Sequence, residues 1–124
     1  MLNKIILIGR LVADPELKYT QSGIAFTKFT LAVDRPFANA EGKKEADFID
    51  IVTWRKQAEA CANHLGKGRL VAVEGRLQIG SYDDSNGIRR KRADVMAENV
   101  RFLDRGKESE RETEPEPDFD SVPF

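Results

Sequence analysis

Between Ile24 and Asp34 apolar and polar side chains alternate one by one, a period of two that suits an extended strand with one buried face. Ala25, Thr27, Phe29, Leu31 and Val33 fall on one side, and Lys28, Thr30 and Asp34 on the other. A helix would scatter these residues around its circumference, so this segment commits the chain to a sheet. Gln21-Ser22-Gly23 supplies the turn before it.

The neighbouring segments extend the same rhythm. Asn3 to Val12 is an apolar run whose Gly9 marks a bulge or tight bend, and Asp14-Pro15 breaks it. Asp34 to Asp47 is a polar loop containing Pro36 and Gly42. Phe48 to Trp54 then forms a third strand, with Ile49, Ile51 and Thr53 opposite Phe48, Asp50, Val52 and Trp54. From Gln57 to Leu65 the period changes: Ala58, Cys61, Ala62 and Leu65 make the stripe of a short helix, with Gly66-Lys67-Gly68 as its C-cap. Leu70 to Ile79 places Val71, Val73, Leu77 and Ile79 inward and Glu74, Arg76 and Gln78 outward. After the turn Asp83 to Gly87, a fifth strand runs from Arg89 to Leu103. An all-β chain with a helix between its third and fourth strands has the order of a five-stranded OB-fold barrel.

Composition limits that fold to residues 1–104, enough for one domain with one core. The last seventeen residues hold seven acids and one base, with Pro115, Pro117 and Pro123. Such a segment cannot bury enough apolar surface to offset its ordering entropy, so residues 105–124 are expected to be a disordered acidic tail. Its end is nonetheless apolar: Val122, Pro123 and Phe124 follow Asp118 and Asp120, in the manner of a short linear motif offered with its terminal carboxylate to a pocket on another protein. The whole chain has 20 bases and 21 acids; without the tail, residues 1–107 keep 19 and 14, a net +5. A basic body attracts a polyanion. The single Cys61 excludes an intrachain disulfide, and the longest apolar run at the N-terminus, Ile5 to Ile8, is too short for a leader or a membrane span. A soluble, reducing, cytoplasmic setting follows as the expectation.

Phe48 and Trp54 face away from a core that other residues already fill. Six residues apart, they would stand roughly 20 Å from one another, far enough to stack different bases of one strand. By the same parity Tyr82 lies on the outer face of the fourth strand, while Phe37 sits in a loop with Arg35, Lys43 and Lys44. Arg10, Arg55, Lys56, Lys67, Arg76 and the run Arg89, Arg90, Lys91, Arg92 add charge for phosphates. Taken singly, each aromatic is as well explained by packing or a subunit contact; as a set they favour nucleic acid. Phe26, Phe29 and Phe102 are assigned to packing or subunit contact, His64 to the helix surface and Cys61 to the core.

Asn3-Lys4-Ile5-Ile6-Leu7-Ile8-Gly9-Arg10-Leu11, Asp14-Pro15-Glu16-Leu17, Phe29-Thr30-Leu31-Ala32-Val33, Lys67-Gly68 and Val73-Glu74-Gly75-Arg76-Leu77 together resemble the bacterial single-stranded DNA-binding protein family. The resemblance runs from about residue 1 to 104 and returns at the tail tip. It implies one OB fold per chain, a homotetramer, and single-stranded DNA bound without catalysis beside the nucleoid. It also implies stacking at Phe37, Phe48, Trp54 and Tyr82, basic contacts at Lys56 and Lys67, and docking of replication, recombination and repair enzymes on the tip. The tip departs from the family's usual acidic triplet before Ile-Pro-Phe, and the linker before it is short.

Other classes remain open at this point. One His, no paired metal-ligand spacing and no nucleophile with a base argue against an enzyme, and no cofactor is expected. A metal-dependent nuclease on Asp47 and Asp50, an OB-fold accessory of replication restart, an RNA-binding protein and a protein-interaction scaffold are the alternatives.

Overall fold

The structure, a computed structural model, describes residues 1–104; the expected tail and its Asp118, Asp120, Val122, Pro123 and Phe124 lie outside the described residues. The elements are β1 (Ile5–Leu11), β2 (Glu16–Tyr19), β3 (Ala25–Asp34), β4 (Ala46–Trp54), α1 (Arg55–His64), β5 (Leu70–Asp83) and β6 (Arg89–Phe102). The strands pair in the order β1-β5-β6-β4-β3-β2, and β1 also pairs with β3. Five strands thus close into a ring of pairings, with antiparallel neighbours throughout except the parallel β4–β6 contact. With α1 between β4 and β5, this is the OB-fold arrangement expected from the element order.

β2 is an addition to the expected five. It occupies the same edge of β3 as β1, pairing with Ala25 to Lys28 while β1 takes Leu31 and Ala32. Its four residues, Glu16-Leu17-Lys18-Tyr19, alternate polar and apolar, but the run is short and only Leu17 among them is even half-buried, so the period is too brief to mark a strand by itself.

Gly9 stands where β1 passes from one partner to the other: Ile5 to Arg10 pair with β5, and Arg10 and Leu11 with β3. A Cβ there would lie 2.5 Å from the Ala32 carbonyl oxygen, so the glycine permits a close approach that closes the ring, and β1 itself is not bulged. The bulge falls instead between β5 and β6. Glu74 faces Asn99 and Gly75 faces Ala97, so Glu98 is the extra residue.

Beyond Gly75 the β5–β6 hairpin outruns β1, whose ladder ends at the Ile5–Gly75 pair. Leu77 and Ile79, expected inward, keep the parity of Val71 and Val73 but are exposed because this arm extends past the core. The arm also carries β5 to Asp83, so Tyr82 is a strand residue, and the turn begins at Asp84 with Gly87 at φ 78°.

The core gathers Leu11, Phe29, Leu31, Ile51, Cys61, Leu65, Val71, Val73 and Val95. Full burial of each aliphatic member stabilises by about 1.5–3 kcal/mol against the chain's ordering entropy. α1 buries Ala58 and Cys61 against this core, and the buried Thr27 hydroxyl donates to the Ala58 carbonyl at 2.7 Å, fastening helix to sheet. The expected glycine C-cap is absent. Leu65, extended, caps α1 through its N–H to the Cys61 carbonyl at 2.9 Å, whereas Gly68, at φ 89°, serves a separate turn in which the Arg69 N–H reaches the Gly66 carbonyl. Asp104 is tied back by Arg69 at 2.7 Å and by the Leu70 N–H at 3.1 Å.

Candidate nucleic-acid interface

The outward residues of β3 and β4 pair across the ladder in rows: Phe26 with Trp54, Lys28 with Val52, Thr30 with Asp50 and Ala32 with Phe48. Two of these rows continue around the ring, Val52 to Met96 to Arg76 and Asp50 to Asp94 to Gln78. Phe48 is 68 % exposed, Trp54 39 % and Tyr82 49 %, and Phe37, at the loop joining β3 to β4, is 82 % exposed. Phe48 and Trp54 therefore lie at opposite ends of one face, and Tyr82 continues the outer parity onto the β5–β6 arm, opposite Arg90. Val52 departs from the expectation: it points outward by parity yet is buried under its neighbours.

Trp54 ends its strand and stands at the N-cap of α1. The next residue, Arg55, takes φ 61°, a left-handed conformation uncommon for side chains other than Gly, Asn or Asp, and so turns the chain sharply from strand to helix. The first turn of α1 contains no acid, and its N-cap offers no side-chain hydrogen bond, so Arg55 and Lys56 meet the positive end of the helix dipole without a counter-charge.

The basic residues divide into two groups. Arg35 is engaged by Asp47 at 2.8 Å and Glu45 at 3.0 Å, Arg90 by Asp84 at 2.7 Å, Arg92 by Asp94 at 3.1 Å and Arg10 by Asp104 at 3.5 Å. The Arg35 hydrogen bond holds the Asp47 carboxyl below its ordinary range, and Arg90 with the Ile88 and Asn86 N–H groups does the same for Asp84. Lys43, Arg55, Lys56, Lys67, Arg76, Arg89 and Lys91 have no carboxylate within ion-pair distance among the described residues. Arg76 instead donates to the Gln78 side chain and Arg89 to Ser81.

Two lysines escaped the sequence reading. Lys18 on β2 and Lys28 on β3 line a groove of about 380 Å³ with Asp14, Glu16, Thr30 and Asp50; Lys28 lies in a row between Trp54 and Phe48, and Lys18, opposite Phe26, in the row of Trp54 itself. The parity of Lys28 was available as a signal, but Lys18 depends on a strand of only four residues, too short for its alternation to stand out. Neither has a carboxylate at ion-pair distance among the described residues.

Asp47 is spoken for by Arg35, and Asp50 accepts the Thr30 hydroxyl at 2.8 Å. Among the described residues no three His, Cys, Asp or Glu side chains converge as a metal site would need. Burial pushes the Cys61 thiol up to about 11, which keeps it protonated and unreactive. No helix among the described residues is long and apolar enough to cross a membrane.

A closed OB-fold ring carrying exposed aromatics, and bases without a carboxylate partner among the described residues, defines the class of small binding barrels whose surface suits a polyanion. Residues 2–103 match the profile of the Single-strand binding protein family, and the chain belongs to that family. It is 56 % identical over 89 % of its length to a protein of Halalkalibacterium halodurans named single-stranded DNA-binding protein, covering 66 % of that protein. A Caldanaerobacter subterraneus protein of the same name is 50 % identical over 98 % of this chain and 85 % of its own length. Single-stranded DNA-binding protein A of Bacillus subtilis is 54 % identical over 84 % of this chain and 60 % of its own. The chain thus spans about two thirds of the length of the first of these relatives.

Proposed function

We propose that residues 1–104 bind single-stranded DNA without regard to sequence, stacking bases on Phe37, Phe48, Trp54 and Tyr82 while lysine and arginine side chains neutralise phosphates. The observation that carries this reading is the pair Phe48 and Trp54, exposed on one outer face with no core role for either ring. Lys43, Arg55, Lys56, Lys67, Arg76, Arg89 and Lys91 supply the cationic surface; Arg10, Arg35, Arg90 and Arg92 join it only by exchanging their carboxylate partners. Such a protein shields single strands during replication, recombination and repair in the cytoplasm.

Trp54 is the single tryptophan of the chain, so its fluorescence reports on the proposed face directly. Titration with oligo-dT should give saturable quenching that weakens as salt rises, and oligo-rU should bind less tightly. A folded protein whose tryptophan ignores oligo-dT at low salt would overturn the reading and favour a protein-binding scaffold.

The homo-oligomer, a tetramer, is part of the same proposal. Ile6 and Ile8 on β1 and Ile79 on the arm are exposed aliphatic side chains on separate surfaces, as subunit contacts require. Sedimentation at micromolar concentration showing only monomer would refute it. Residues 105–124 form the partner-docking segment, with Asp118 and Asp120 meeting a basic rim and Val122, Pro123 and Phe124 an apolar pocket on repair and replication enzymes. A peptide of residues 116–124 that fails to compete for such an enzyme would remove this part alone.

A further inference from the structure

Taking Trp54 as a base platform, we propose that Phe26 is a positioning residue that sets the Trp54 ring before DNA arrives. Phe26 and Trp54 are direct partners across the β3–β4 ladder, both on the outer face, with ring centroids 5.3 Å apart and planes inclined by 36°. That is a tilted aromatic contact in which one ring shields part of the other and leaves the rest open. Phe26 is half-buried and Trp54 remains 39 % exposed, so the phenyl ring lies alongside the indole while the indole keeps surface for a base.

The backbone around Trp54 places it at the end of its ladder. It is the last residue of β4, and the left-handed backbone of Arg55 ends the ladder immediately after it. The parallel pairing of β4 with β6 reaches only Val52 and Met96, so among the described residues β3 alone pairs with Trp54, and there the facing residue is Phe26. Phe48, at the other end of the same face, has Ala32 as its partner and no ring beside it among the described residues. The two platforms differ accordingly. Phe48 is free to adapt to a passing base, whereas Trp54 presents a preset surface and gives up little rotamer freedom on binding.

Three versions of the full-length protein test this: wild type, Phe26→Leu and Phe26→Tyr. Leucine keeps apolar bulk but removes the ring; tyrosine keeps the ring. In the free protein, Phe26→Leu should increase indole mobility, read as faster anisotropy decay and stronger acrylamide quenching. Its oligo-dT affinity should fall about three- to tenfold with the salt dependence unaltered. Phe26→Tyr should match wild type in both measurements. If the leucine variant does not fold, Phe26→Met carries the same comparison. The proposal is overturned if the indole becomes mobile without loss of affinity, if neither quantity changes, or if tyrosine fails to rescue. Weaker binding with an unchanged indole would also overturn it, since Phe26 would then touch DNA itself. Failure of the DNA-binding reading looks different: the wild-type tryptophan would not respond to oligo-dT at all.

Discussion

Replacing Phe48 with alanine separates a ring that serves binding from one that serves folding. Phe48 leaves 68 % of its surface in solvent, so folding buries only about a third of the roughly 200 Å² such a side chain can bury. At about 25 cal/mol per Å² this is at most ~1.5 kcal/mol, an upper bound because the unfolded chain already buries part of it. The melting temperature of a domain this size should therefore fall by no more than about 6–12 °C, leaving Phe48→Ala folded at 25 °C. Binding loses a whole platform. One stacked base contributes about 1–3 kcal/mol, so the oligo-dT dissociation constant should rise about 5- to 150-fold. Trp54 remains as the reporter, and the same titration that measures wild type measures the variant. An affinity within twofold of wild type, accompanied by a melting temperature more than 20 °C lower, would mean that the ring packs and does not stack, and the assignment of this face would fail.

Lys56→Gln should reduce the steepness of log affinity against log salt by about 0.7, whereas Arg35→Gln should leave that slope unchanged, because Asp47 and Glu45 already neutralise its guanidinium; equal effects from the two would refute the division of the bases. Gly9→Ala drives a methyl group against the Ala32 carbonyl and should cost about 1–3 kcal/mol, lowering the melting temperature by about 5–20 °C by calorimetry. An unchanged transition would show that the ring closes less tightly there. Because Asp47 and Asp84 have folded-state pKa values held below the ordinary carboxylate value, their stabilisation is complete above that value and is lost as pH falls through the lowered ones. Melting temperature should then be insensitive to these groups from about pH 5 to 8 and drop below about pH 4. Asp84→Asn should flatten part of that acid limb, and a protein that grew more stable toward pH 3 would contradict the sign.

The sequence by itself determined the number of main strands, the position of the helix and which residues of β3 and β4 face outward. These follow from local periodicity, since the direction of a strand side chain depends only on its parity. Phe48 and Trp54 were legible as exposed rings for that reason, and the basic body was legible from charge alone. What only the tertiary structure decided depends on residues distant in the chain. β2 exists because the edge of β3 accepts it, and Leu77 and Ile79 are exposed because β1 ends opposite Gly75. The helix cap moved to Leu65 because Cys61 supplied the carbonyl, leaving the glycines to a separate turn. Charge counting placed Arg35, Arg90 and Arg92 among the phosphate contacts, but a count carries no geometry, and each of these arginines lies within ion-pair distance of a carboxylate. The partnership of Phe26 with Trp54 joins residues 28 positions apart in sequence, and no periodicity within either strand could reveal it, because it is the register between strands that brings the two rings together.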